Sequence, residues 1–86
     1  MKFLRMRPGY GEQLIAEGDV NVAEDEERLV DEFRRQLEQG MWAAIPVLSE
    51  TGRRQAEMVS AFEEIPRDTG RVIFFPRAAG GARTAP

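Results

Sequence analysis

Hydrophobic positions along this chain change period twice, from near-alternation to the one-face spacing of a helix and back again. Alternation places side chains on two faces of a strand, whereas steps of three and four residues build one stripe on a helix. Lys2 to Arg7 alternates imperfectly and predicts a first strand. Pro8-Gly9-Tyr10-Gly11 reads as a turn, because proline presets one dihedral and the glycines permit positive φ. Glu12 to Ala16 returns as a second strand with Leu14 and Ile15 as its apolar content, and Glu17-Gly18-Asp19 breaks it before Val20 and Val22. Together these predict an N-terminal β-hairpin with a longer loop.

A helix follows. Asn21 is placed to cap it, and Glu24, three residues on, completes a pattern like a capping box. The acidic run Glu24 to Glu27 falls in the first turn, where the helix dipole favours negative charge. Leu29, Val30, Phe33 and Leu37 form one apolar stripe, with Glu24–Arg28 and Asp31–Arg35 as i,i+4 ion pairs on the exposed side. Gly40 is placed to end the helix in a left-handed conformation.

Met41 to Leu48 predicts a strand, and Pro46, lacking an N–H, argues for an edge strand or for one that pairs only around the proline. Ser49 to Arg53 is a turn cluster and Arg54 to Val59 a returning strand, then a short helical turn. A helical alternative stands beside it, since Met58, Phe62 and Ile65 also fit helical spacing. Pro66 to Gly70 is a turn, and Val72-Ile73-Phe74-Phe75 is apolar on both faces, as a central strand covered by a helix would be. The order strand, strand, helix, strand, strand, strand buries a single helix stripe most simply by laying it across one sheet. The predicted fold is therefore α+β, a β-grasp of the ubiquitin-like kind, with a mixed sheet of four to five strands and its last strand in the middle. Residues 1–81 make the domain, and 82–86 a flexible tail.

Composition narrows the function. Leu29, Phe33, Phe62, Phe74 and Phe75 can seed a modest core in a chain of 86 residues. There is no cysteine and no histidine, which removes thiolate and imidazole nucleophiles, His-ligated zinc and a Ser-His-Asp triad. No carboxylate spacing resembles a calcium loop. The chain is read as a non-enzyme that needs no metal or cofactor. No apolar run reaches membrane-spanning length and nothing resembles a signal peptide, so no membrane is expected and a cytoplasmic address fits. A net charge of −3 argues against nucleic acid as a partner. Residues 1–40 hold ten acids against six bases, and the remainder five against six, so the acidity is concentrated in the first half. An exposed edge strand, blunted by Pro46, allows a monomer or a weak dimer.

The stretch from Phe62 through Ile65-Pro66-Arg67-Asp68-Thr69-Gly70 to Val72-Ile73-Phe74-Phe75-Pro76 and Ala78-Ala79-Gly80-Gly81 resembles the end of the MoaD/ThiS-type sulfur carriers. Those small ubiquitin-like proteins close with an acidic turn, an apolar strand, proline, small residues and Gly-Gly. The resemblance covers the last quarter of the chain and the order of elements. It implies a Gly81 carboxylate adenylated by an E1-like enzyme and converted to a thiocarboxylate or conjugated to an amine, with Gly80 giving passage. It also implies removal of Ala82 to Pro86 by a peptidase, and Arg77 stands where the carriers have a compact residue.

Four other residues are candidate partner contacts. Tyr10, between Gly9 and Gly11, is expected exposed on the hairpin turn. Trp42, the sole tryptophan, is expected core or half-buried against Met41, and would be an interface anchor if exposed. Arg71 and Arg77, with Arg67 and Arg83, make the C-terminal segment basic, either as solvated charge or as a dock for an acidic partner or for nucleic acid. Three functional classes follow: a ubiquitin-like protein-interaction module, a processed carrier or modifier acting through Gly81, and a small accessory or inhibitory protein of a phage or mobile element. The last rests on size, an acidic helix face and the missing catalytic residue types.

Overall fold

A computed structural model describes residues 1–77, so Gly80, Gly81 and the tail 82–86 lie outside the described residues. The predicted elements form as β1 (Lys2–Arg7), β2 (Gly11–Glu17), α1 (Ala23–Glu38), β3 (Met41–Leu48), β4 (Arg54–Val59), a 3-10 turn (Phe62–Glu64) and β5 (Arg71–Pro76). Arg54 to Val59 is strand throughout, which excludes the helical alternative. The sheet has the order β2-β1-β5-β3-β4; β1 and β5 are parallel and every other neighbouring pair is antiparallel. The architecture is α+β, one helix on a mixed five-stranded sheet, and β5 lies in the middle as expected.

The helix stripe decides which face of the sheet is buried. Leu29 and Phe33 are buried with Phe3, Val72, Phe74, Met41, Ala43, Ile45 and Val59, which alternation places on one side of the four strands β1, β5, β3 and β4. Phe33 meets Phe74 edge-on at 5.6 Å, Phe3 at 6.3 Å and Phe62 at 6.0 Å between ring centroids. A bulge between Phe3 and Leu4 lets two successive β2 residues, Ile15 and Ala16, pack against the core. Arg5 also points to the helix side, where its guanidinium donates to Gln36 Oε1 at 3.3 Å and Gln39 Oε1 at 2.9 Å. Gln36 is thereby satisfied, and its amide donates to Glu32 at 2.7 Å. This buried glutamine is absent from the apolar stripe read in the sequence.

Pro46 does not sit on an edge strand. β3 pairs with β5 through Met41–Ala44 and with β4 through Ala43–Leu48. The Ser49 N–H donates to the Arg53 carbonyl at 2.9 Å, so alternation makes Ala43–Val59, Ile45–Glu57 and Val47–Gln55 the hydrogen-bonded pairs. Pro46 opposite Ala56 is a non-hydrogen-bonded pair. Its missing N–H would point toward β5, beyond the last β3–β5 pair, Ala44–Ile73, so no ladder bond is lost.

The helix start is also built differently from the capping box. Val22 is the capping residue and makes no side-chain cap bond, so Asn21 and Glu24 do not perform those roles. Asp25 instead turns back and accepts the Asp19 N–H at 2.9 Å, while Asp19 accepts the Asn21 N–H at 2.9 Å. Gly18 permits this: a Cβ there would lie 3.0 Å from the Asp25 Cβ. The ion pairs are Arg28–Asp25 and Arg35–Glu32 at i,i+3, in place of the expected i,i+4 pairs. Arg67 is not free either, because it pairs with Glu26 at 2.9 Å and donates to the Val20 carbonyl. The C-terminal end follows expectation: Gly40 adopts φ +88°, and its N–H donates to the Leu37 carbonyl at 3.0 Å.

The hydrogen bond from Asp19, and then Arg28, hold the Asp25 carboxyl below its ordinary value. A depressed folded-state value stabilises the fold above about pH 4, and the contribution is lost as pH falls through the folded value. Urea denaturation at pH 7 and pH 3 should therefore show a smaller acid loss of stability for Asp25→Asn than for the unsubstituted chain. An identical loss in both would contradict this helix start.

Candidate functional site

One helix covers one face of a sheet, and alternation must send the remaining side chains to the other. On β5, Val72 and Phe74 go under the helix while Ile73 and Phe75 point to the opposite side. Leu4 and Met6 of β1, Leu14 of β2, Trp42, Ala44 and Pro46 of β3, and Ala56 and Met58 of β4 share that side by register. Among the described residues no second layer covers them. Leu14 is 50% exposed, Met58 47% and Trp42 42%. Contiguous apolar surface of this kind marks an interaction site far more often than scattered apolar residues do.

Trp42 and Phe75 organise this surface. They are cross-strand neighbours in register, and their rings meet edge-on at 6.1 Å. Trp42 was expected in the core or half-buried at the helix-to-strand corner; it is exposed because Met41, its neighbour in sequence, takes the buried side. Phe75, expected as core, belongs to the same open face for the same reason. Beside Trp42, a groove of about 420 Å³ opens where β4 has ended and β3 continues to Met41. Leu37, Met58 and Val59 form its apolar walls, and Glu64 and Arg77 supply opposite charges. The Arg77 N–H donates to the Gly40 carbonyl at 3.2 Å, which fixes the chain as it leaves β5 beside this groove.

Charge on the open face is divided. By alternation Lys2, Arg54 and Arg71 flank the apolar centre, while Glu12 and Glu17 lie along β2. Of the predicted contacts, the structure brings Trp42 and Arg77 together in the groove. Tyr10 is at the same end of the sheet, on the β1–β2 turn, 81% exposed with the Arg7 guanidinium 5.5 Å from its ring centre. Arg71 is at the other end, opposite Lys2 in the parallel β1–β5 ladder. Gly80 and Gly81 lie outside the described residues. Asp25, whose carboxyl is held low, serves the helix start and lies away from this face. No group of three or more acidic, histidine or cysteine residues that could hold a metal occurs among the described residues. No helix among them is long and apolar enough to cross a membrane.

Leu4, Met6, Leu14, Met58 and Ile73 were not among the sequence candidates. The signal was present in the double-sided apolar pattern of Val72 to Phe75, combined with a single amphipathic helix able to cover only one side. The chain matches no family model, no curated protein and no solved structure.

The two aromatic sites should separate by stability. Phe33→Ala should cost about 3–5 kcal/mol, whereas Trp42→Ser should cost below about 1.5 kcal/mol. Urea denaturation followed by circular dichroism measures both, and equal losses would contradict an open face.

Proposed function

We propose that this chain is a non-catalytic, ubiquitin-like interaction module of the β-grasp kind, which binds a larger protein through the open face of its sheet. The observation that carries this reading is the uncovered apolar surface centred on Trp42 and Phe75. A folded domain gains nothing in its own stability from leaving a tryptophan, two methionines and leucines in water, whereas an interface gains from burying an aromatic anchor. Support for the β-grasp assignment comes from the strand order, with β5 between a parallel β1 and an antiparallel β3 and one helix on one side.

Full-length chain immobilised as bait, beside the double variant Leu14→Ser, Trp42→Ser, tests the reading. A partner from the native cells should bind the unsubstituted chain at least about tenfold more tightly, since an anchor residue contributes roughly 2 kcal/mol or more. Equal retention by the two baits, or none by either, overturns it.

A second reading, a carrier acting through Gly81, is favoured by one observation: the chain leaves the centre of the sheet directly from β5, with Arg77 tied to Gly40. The intact mass of the protein from its own cells separates the two. Loss of residues 82–86 with sulfur or a conjugate at Gly81 supports the carrier, and an unmodified full-length chain rejects it.

A further inference from the structure

The two edges of the sheet are not equivalent. β2 carries a bulge opposite Phe3 and Leu4 and places Glu12 and Glu17 near its ends, devices that discourage pairing with another strand. β4 is an uninterrupted strand of six residues with no proline, glycine, lysine or bulge, and five of the six are exposed. Its two charges, Arg54 and Glu57, are of opposite sign where those of β2 are alike. Among the described residues nothing pairs with its outer side.

The ladder also shows which backbone groups are available there. Gln55, Glu57 and Val59 direct their N–H and C=O groups to β3, as the Ser49–Arg53 hydrogen bond and the register require. Arg54, Ala56 and Met58 therefore direct theirs outward. Buried or paired, these groups contribute to a sheet; left at an edge, they template another strand.

We propose that the β4 edge is a self-association surface, on which two copies of this chain pair their β4 strands antiparallel about a two-fold axis at Ala56. Residues directly opposite in a continuous sheet share a face, so only registers joining positions of equal parity are allowed. Centred on Ala56, the small methyl groups meet at the axis. Arg54 then lies opposite Met58 of the second copy, and Gln55 opposite Glu57 of the second copy, each twice by symmetry. The Arg54 stem covers a thioether, and the Gln55 amide donates toward a carboxylate. Moving the axis to Glu57 puts two glutamates opposite one another. Moving it to Gln55 sets Arg53 opposite Glu57 but leaves only Arg54, Gln55 and Ala56 paired within the strand, with Met58 opposite Gly52 in the turn. The Ala56 register keeps five of the six strand residues, Arg54 to Met58, paired with one another and sets no like charges opposite. It joins two sheets of five strands into one and makes their open faces continuous. The proposal does not depend on the partner-binding reading.

Sedimentation equilibrium of the full chain over rising concentration tests it. The unsubstituted chain should form a dimer. Ala56→Pro removes an outward N–H that β3 does not use, and Ala56→Lys sets two like charges at the axis. Each should weaken the dimer at least about tenfold, with circular dichroism unchanged. Trp42→Ser, on the open face, should leave the dimer intact. A chain that remains monomeric near millimolar concentration overturns the proposal. So does a dimer that survives either Ala56 substitution in a folded chain, or one that Trp42→Ser abolishes.

Discussion

Phe33 is the point at which distant parts of the chain are held together. Its ring, projecting from α1, meets Phe3 of β1, Phe74 of β5 and Phe62 of the 3-10 turn, all edge-on and within 6.3 Å. Phe3 and Phe74 also touch one another at 5.2 Å. Each such pair adds about 0.5–1.5 kcal/mol beyond the area it buries. More importantly, the contact seats the first and last strands side by side under one helix. A parallel β1–β5 pair has no short connection of its own, so it forms only when a third element gathers both strands. The central position of β5, and the exit of the chain beside Gly40, follow from that gathering.

Polar groups then orient the helix on the cluster without competing for the core. Arg5 reaches up from β1 to Gln36 and Gln39 near the helix C-terminus. Arg67 reaches from the loop before β5 to Glu26 and the Val20 carbonyl near the N-terminus. The two arginines brace opposite ends of α1, one against the sheet and one against the loop. Both are partly solvated ion or amide contacts, so their value lies in fixing the helix axis more than in raw stability.

The same geometry creates the open face. A helix about 10 Å across spans roughly two strand spacings, and a five-stranded sheet is wider than that. The helix-side positions Gln13, Gln55 and Glu57 on the edge strands are accordingly polar, whereas β3 and the middle of β5 are apolar on both sides. Apolar residues on the uncovered side, with Trp42 and Phe75 in contact, are surplus to the domain's own core. The fold and the candidate site therefore share a cause: one helix, one buried face and a central strand with two apolar faces.

Element positions were legible from local pattern because strand alternation, helix spacing and the Gly40 stop are properties of a few neighbouring residues. The candidate site was legible only in part. Tyr10 could be placed on its turn, since its exposure depends on the adjacent glycines and proline. Trp42 and Phe75 could not, because period two says that residues alternate and not which alternate set meets the helix. The partners of Arg67 were likewise hidden, as they lie 41 and 47 positions away. The start of α1 was hidden because Asp25 turns back to the Asp19 N–H where a local pattern points to an Asn21 cap. Pro46 shows the division most clearly. Its missing N–H is written in the sequence, but its harmlessness in an inner strand depends on where β5 stops. Local covalent and steric preferences thus determined the elements, while the long-range register and the single covering helix decided which residues face the outside.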